Sequence, residues 1–256
     1  LVTPDQLLDA LRHFDVRVHE HSGWRTRRHG ALNGKVIVVH DSVTGSMSDE
    51  RAAQFCADGR SDLKGPLYEC LIGQDGAAHL IAFGLTWNAG RGNAARLAQA
   101  TRGQMPLDRE LARPTSDNTG GANSIAHGIA YTTAGAGPYS GAQAAAGQRV
   151  IAAYCKAEGW SPRGGAGSVI GHGEYSSRKV DPKLDMGTLR TQVERVLSGG
   201  GSAPPVGGGE EWYTVVAGDT LYGIAKRYGV TIGDIQRLND LGDSGLIRPG
   251  QRLRVR

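Results

Sequence analysis

Gly171 to Met186, GHGEYSSRKVDPKLDM, is the stretch from which the rest of the chain can be read. It sets His172 and Asp181 nine residues apart, with Lys179 between them and Pro182 directly after the aspartate. Imidazole and carboxylate both suit Zn²⁺, and a catalytic zinc keeps three protein ligands and one open position for water. Two ligands on one short loop leave a third to be found, and VIVVH upstream ends in His40. A protonated lysine is no ligand, but Lys179 can donate to an oxyanion forming beside a metal. Strand, histidine, long excursion, then a histidine–aspartate loop is the layout of a metal hydrolase. A histidine closing a buried strand serves equally well as a satisfied core group, so His40 alone decides nothing.

Outward from that loop the chain alternates strands with helices. Ser168–His172 reads as the last strand, preceded by a helix over Gln143–Glu158 and followed by one over Asp185–Leu197. Ser124–Thr133 is a buried strand carrying His127. Leu67–Ile72 turns through Gln74-Asp75-Gly76 into a second strand at Ala77–Phe83. Tyr68 is either an ordinary strand aromatic or has its hydroxyl toward the metal. Thr3–Phe14 has a capping threonine, a proline in the first turn and leucines at helical spacing. Lys35–His40 is a short β-branched strand, Asp41–Gly45 a loop, and Ser48–Gly59 a capped helix. Trp87 and Asn88, in TWNAGRGN, suit the rim of a substrate site. Residues 94–121 read as a possible helix and then a polar, proline-containing loop. The expected class is α/β, a mixed central sheet flanked by helices.

Residues 198–211, containing SGGGSAPPVGGG, have no side chains able to build a core and read as a linker. They part a catalytic domain at 1–197 from a small domain at 212–256, which reads strand, helix, helix, strand. In the small domain Asp219 or Thr220 caps a helix with Leu221, Ile224, Ala225 and Tyr228 on one face, and Thr231 caps the next.

Composition bounds the partners. The net charge of +4 suits an anionic polymer such as a cell wall but is too small and scattered to argue for nucleic acid. No apolar run reaches membrane-span length, and no apolar leader-like region follows Leu1. Cys56, Cys70 and Cys155 form no metal-finger spacing. Buried reduced thiols are expected, with a Cys56–Cys70 disulfide as the other arrangement.

The small domain resembles a LysM domain over its whole length. The carriers are Tyr213-Thr-Val, Gly218-Asp219-Thr220-Leu221, Leu238-Asn239 and Ile247-Arg-Pro249-Gly-Gln251-Arg-Leu253. The resemblance implies binding of N-acetylglucosamine-containing glycan between the loops at Gly218–Tyr222 and Leu246–Gly250. Leu221 and Ile247 either touch that glycan or only pack the core.

The large domain resembles the zinc-dependent N-acetylmuramoyl-L-alanine amidases, which share a fold with peptidoglycan-recognition proteins. VIVVHDSVT, LYECLIGQDG, WNAGRGN and GHGEYSSRKVDP carry the likeness. It implies His40, His172 and Asp181 as Zn²⁺ ligands, Lys179 as the oxyanion stabiliser and Tyr68 as a tyrosine near the metal. The implied substrate is bacterial peptidoglycan, cut between the muramic acid lactyl group and L-alanine. A monomer is expected, since nothing in the sequence suggests a symmetric partner surface. The implied setting is a phage endolysin made in the host cytoplasm, or a secreted wall hydrolase. Two positions depart from the pattern. Ala130 stands where many members carry a glutamate that can act as general base, leaving proton transfer to Tyr68 or to metal-associated solvent. Asn88 stands where a histidine is common. His127 is a poor replacement, because strand alternation puts it on the face of Ile129, away from Ala130. A wall-recognition protein without activity is the competing expectation.

Overall fold

The computed structural model describes residues 2–118, 121–133, 139–199, 212–228, 232–239, 241 and 245–255. The chain forms two compact units, Leu1–Gly200 and Gly201–Arg256.

The larger unit runs α1 (Pro4–His13), β1 (Val18–Glu20), β2 (Val36–Val43), α2 (Asp49–Asp58), β3 (Gly59–Arg60), β4 (Leu63–Lys64), β5 (Cys70–Ile72) and β6 (Ala78–Leu80). It continues with α3 (Ala94–Thr101), β7 (Ala126–Thr133), α4 (Gly141–Ala157), α5 (Pro162–Ala166), β8 (Val169–Gly171), α6 (His172–Tyr175) and α7 (Met186–Leu197). Six strands form one sheet in the order β1-β6-β5-β7-β2-β8, antiparallel only at β5–β6. The mixed α/β sheet is as expected.

Strand alternation divides the core into two layers. Ile37, Val39, Ile129 and Tyr131 point toward α1, α4 and α7, whose Leu7, Leu11, Val150, Ile151 and Val193 complete one cluster. Val36, Val38, Ala126 and Ile170 face the other way, with Ala100 of α3. Leu71 and Ala130 share that second face and meet Ala52, Ala53 and Cys56 of α2. Each principal helix starts where its cap demands. Thr3 and Gln6 exchange side-chain and backbone bonds at α1, and Ser48, Asn93, Ser140 and Asp185 accept first-turn N–H bonds at α2, α3, α4 and α7.

Two expectations change. Asp41–Val43 belong to β2 rather than to a loop, because β7 pairs beside them as far as Val43–Thr133. His40 is therefore an interior strand residue. The cysteines are all free and buried. Cys70 lies in the α1/α4/α7 layer and Cys56 in the α2 layer, so the sheet stands between them and no Cys56–Cys70 bridge forms.

The smaller unit consists of β9 (Trp212–Thr214), α8 (Leu221–Tyr228), α9 (Ile232–Leu238) and β10 (Arg252–Arg254), with β9 and β10 antiparallel. Its core is Val215, Leu221, Ile224, Ala225, Ile235, Leu253 and Val255. Thr220 is the α8 cap, accepting from Gly223 N at 3.0 Å. Asp219 instead holds the preceding turn, accepting from Val216 N at 2.8 Å and the Tyr213 hydroxyl at 2.7 Å. The Asn239 side-chain amide clamps α9 to β10, donating to Ile235 O and Arg254 O and accepting from Arg254 N, each at 2.7 Å. Thr231, expected as a cap, and the linker from residue 200 onward lie outside the described residues. Among the described residues no helix is long and apolar enough to cross a membrane.

Candidate metal centre

β2 and β8 are neighbours in the sheet, with Val39 opposite Gly171. That pairing delivers His40 from inside β2 and His172 from just past the end of β8 to one point. His40 Nδ1 and His172 Nδ1 are 3.0 Å apart. Asp181 Oδ2 lies 3.2 Å from His172 Nδ1 and 3.5 Å from His40 Nδ1. A tetrahedral zinc with bonds of about 2.0–2.1 Å needs ligand atoms about 3.3 Å from one another. The three donors already stand at that spacing, so the residues fit a metal of this class.

Electrostatics favour the same reading. Burial, and then the neighbouring His172 ring, lower the His40 pKa to about 4 against the opposing pull of Asp181, so its lone pair is free near neutral pH. Burial works against the Asp181 charge, yet bonds to His172 and His40 hold its carboxyl far below the ordinary range. His40 Nε2 and Asn88 Oδ1 are both buried without a hydrogen-bond partner. Asn88 raises the affinity of the His40 ring for a proton. The Asn88 Nδ2 is committed to Thr86 Oγ1 at 2.8 Å and to Ala126 O at 3.3 Å. A polar neighbour of that kind raises the basicity of a ligating imidazole.

His172 and Asp181 line a groove of about 900 Å³, while His40 beside them is fully buried. Tyr68, Trp87, Asn88 and Lys179 all line it. Tyr68 packs its ring 5.1 Å from that of His40. Burial raises the phenol pKa far above neutral, so Tyr68 can donate a proton but does not hold a basic oxygen. Lys179 is exposed on the groove wall. Trp87 is half-exposed and stacks on His29 at 4.5 Å. Asn88, expected on the rim, is instead buried in the floor by its bonds to Thr86 and Ala126.

Ala130 is the residue of β7 directly opposite His40. Its methyl packs among Leu67, Leu71 and Ala53, so this strand presents no carboxylate to the site. His127 is on the other side, between Glu69 Oε2 at 2.8 Å and Glu158 Oε1 at 2.9 Å, with Tyr154 and Trp160 around it. It takes no part in the groove.

Two anchors of the ligand loop were not visible in the sequence. Glu174 accepts from Gly171 N at 3.0 Å and Leu111 N at 2.7 Å and faces the fully buried Arg190 at 2.8 Å, fixing the turn that carries His172. Asp117 accepts from Ser177 N at 2.7 Å, Arg178 Nε at 2.8 Å and Ser176 Oγ at 2.9 Å. The stretch at 94–121 thus braces the segment leading to Lys179 and Asp181.

In the smaller unit Gly218 has φ +92°, so the turn before α8 needs a residue tolerant of the left-handed region. Leu221 is a core residue there, and Ile247 packs half-buried against that core. Pro249 is exposed.

Residues 31–184 match the family model described as N-acetylmuramoyl-L-alanine amidase, and residues 213–256 match that of the LysM domain. The amidase XlyB of Bacillus subtilis is 31% identical over 160 residues, covering 59% of this chain and 49% of that protein. The amidase sle1 of Staphylococcus aureus is 52% identical over 48 residues, 19% of this chain and 14% of its own. The chain therefore spans about half the length of XlyB and far less of sle1. A solved mutant endolysin from Bacillus subtilis aligns over 70% of this chain and 99% of its own at 15% identity, with a TM-score of 0.46.

Proposed function

The chain belongs to the N-acetylmuramoyl-L-alanine amidase family, and on that premise we propose that it hydrolyses the bond between muramic acid and L-alanine in bacterial peptidoglycan. The observation that carries the reading is the convergence of His40, His172 and Asp181 at 3.0–3.5 Å, with His172 and Asp181 lining an open groove. These three would hold Zn²⁺, which when bound supplies Lewis acidity toward the scissile carbonyl and the attacking water. Lys179 offers its ammonium to the oxygen on which negative charge develops. Tyr68, protonated beside His40, donates a hydrogen bond within the site. Asn88 raises the basicity of the His40 ring, while Trp87 gives the substrate an apolar wall.

Residues 1–197 are the catalytic domain in this proposal, 198–211 the linker and 212–256 a wall-binding LysM module. There Gly218, Asp219 and Thr220 shape one lip of a glycan groove and Ile247 and Pro249 the other. A weak glycan contact joined by a linker raises the concentration of catalytic domain at an insoluble substrate. The modular plan supports an endolysin, with a secreted wall hydrolase as the other setting; either acts as a monomer.

Ala130 favours a second reading, a recognition protein that binds wall without cutting it, because no carboxylate stands beside His40 on β7. Digestion of purified peptidoglycan separates the two. Stem peptides beginning with L-alanine, released by the zinc-loaded protein, lost on chelation and absent with His172→Ala, are expected. Wall binding without released peptide at full zinc occupancy would leave only recognition.

A further inference from the structure

A second cluster of metal-type donors lies on the same sheet face. Paired residues point to one side, and the register runs His19–His79–Leu71–Ala130–His40 across five adjacent strands. His79 is thus three strands, about 14 Å at 4.8 Å per strand, from His40. Helix α2 covers the Leu71–Ala130 interval between them and brings its first turn to His79.

His79 Nδ1 is 3.0 Å from His21 Nε2, and Glu50 Oε1 is 3.5 Å from His21 Nδ1. One donor atom from each of His21, His79 and Glu50 lies within 4.8 Å of the other two. Asp49, Asp75 and His79 form a second such group, with one donor atom of each within 4.8 Å of the other two. His79 is 3% exposed and its Nε2 is buried with no hydrogen-bond partner. The His79 nitrogen that faces His21 is Nδ1, the other nitrogen of the same ring. Burial lowers the pKa of both histidines, so both lone-pair systems are available near neutral pH.

We propose that His21, His79 and Glu50 form a second divalent-metal site, for a zinc-like cation, separate from the His40–His172–Asp181 centre. Two imidazoles and a carboxylate are the donor set that such ions prefer. Asp49 and Asp75 stand where outer carboxylates orient a ligating imidazole. The role is structural. β1 is a three-residue edge strand paired only with β6. The metal clips the residue after β1 to the β5–β6 hairpin and to the first turn of α2.

The test strips the full chain of metal, then titrates Zn²⁺ by calorimetry and Co²⁺ by visible absorption. The wild type takes up two equivalents and His21→Ala one. Glu50→Gln, at a largely exposed side chain that folding does not need, weakens the second equivalent at least tenfold. His21→Ala keeps peptidoglycan hydrolysis, whereas His172→Ala loses it and still binds at the second site, so the two centres fail independently. Uptake of a single equivalent by the wild type, or a second equivalent of unchanged affinity in either His21→Ala or Glu50→Gln, overturns the proposal.

Discussion

Glu174→Gln tests how the ligand loop is held. Glu174 Oε1 accepts from Leu111 N and Arg190 Nη2, and Oε2 accepts from Gly171 N and Arg190 Nη1, at 2.7–3.0 Å. Both side chains are at most 1% exposed. A glutamine has one acceptor and one donor end. Whichever way it turns, its NH₂ faces two N–H donors, and Arg190 loses its only carboxylate partner among the described residues. Removing one member of a buried pair costs about 3–5 kcal/mol. For a unit of this size, at roughly 2–4 °C per kcal/mol, that lowers the melting midpoint by about 6–20 °C. The assay is thermal and urea unfolding, reading the transition of the larger unit, with zinc affinity measured alongside because Gly171 precedes His172. A Glu174→Gln protein within about 1 kcal/mol of wild type, well short of that range, would refute the reasoning.

His127 gives a pH signature. Burial opposes its charge, but Glu69 and Glu158 outweigh this and push its pKa up to about 10. The stabilisation is complete below the unfolded value of about 6.5 and is lost as pH rises through the folded value. The stability deficit of His127→Gln should therefore be largest below pH ~6.5 and shrink toward pH 10; a deficit independent of pH in urea titrations would contradict it. Gly147→Ala improves helix propensity in α4 by about 1 kcal/mol, yet its methyl would meet the Tyr131 hydroxyl at 1.8 Å. Net destabilisation in the same unfolding assay is expected, since overpacking costs about 1–3 kcal/mol. Asn88→Ala removes the polar group that raises the basicity of His40 and should weaken zinc binding roughly tenfold or more, measured by competition with a chromogenic chelator; unchanged affinity would remove Asn88 from the account.

What could be read from the sequence depended on whether a signal was local. The caps Thr3, Ser48 and Thr220, the hairpin at Gln74–Gly76 and the β-branched strands carry their own chemistry, and they stand where expected. His40, His172 and Asp181 could be picked out because one strand and one loop bear them. Glu174, Asp117 and Arg190 could not: apart from Glu174's bond to the nearby Gly171 N, the partners that make them anchors are 16 to 84 residues away, with no periodicity to mark them. β1 was missed for a similar reason: Val-His-Glu is short and half polar, and becomes a strand only by pairing with β6. The His21–His79 contact joins residues 58 apart through that same pairing.

The separation of His40 from His172 has a consequence for how the protein comes into being. The two nitrogens that meet at 3.0 Å belong to residues 132 positions apart. Closing so long an interval is entropically costly before any contact rewards it. Only when β8 adds to the edge beside β2 do both imidazoles face Asp181. A nascent or partly denatured chain therefore owns isolated histidines but no chelate. On the proposed function, metal capture waits for β8, the last strand of the larger unit's sheet, and hydrolytic competence would switch on with it rather than accumulate as the molecule is made.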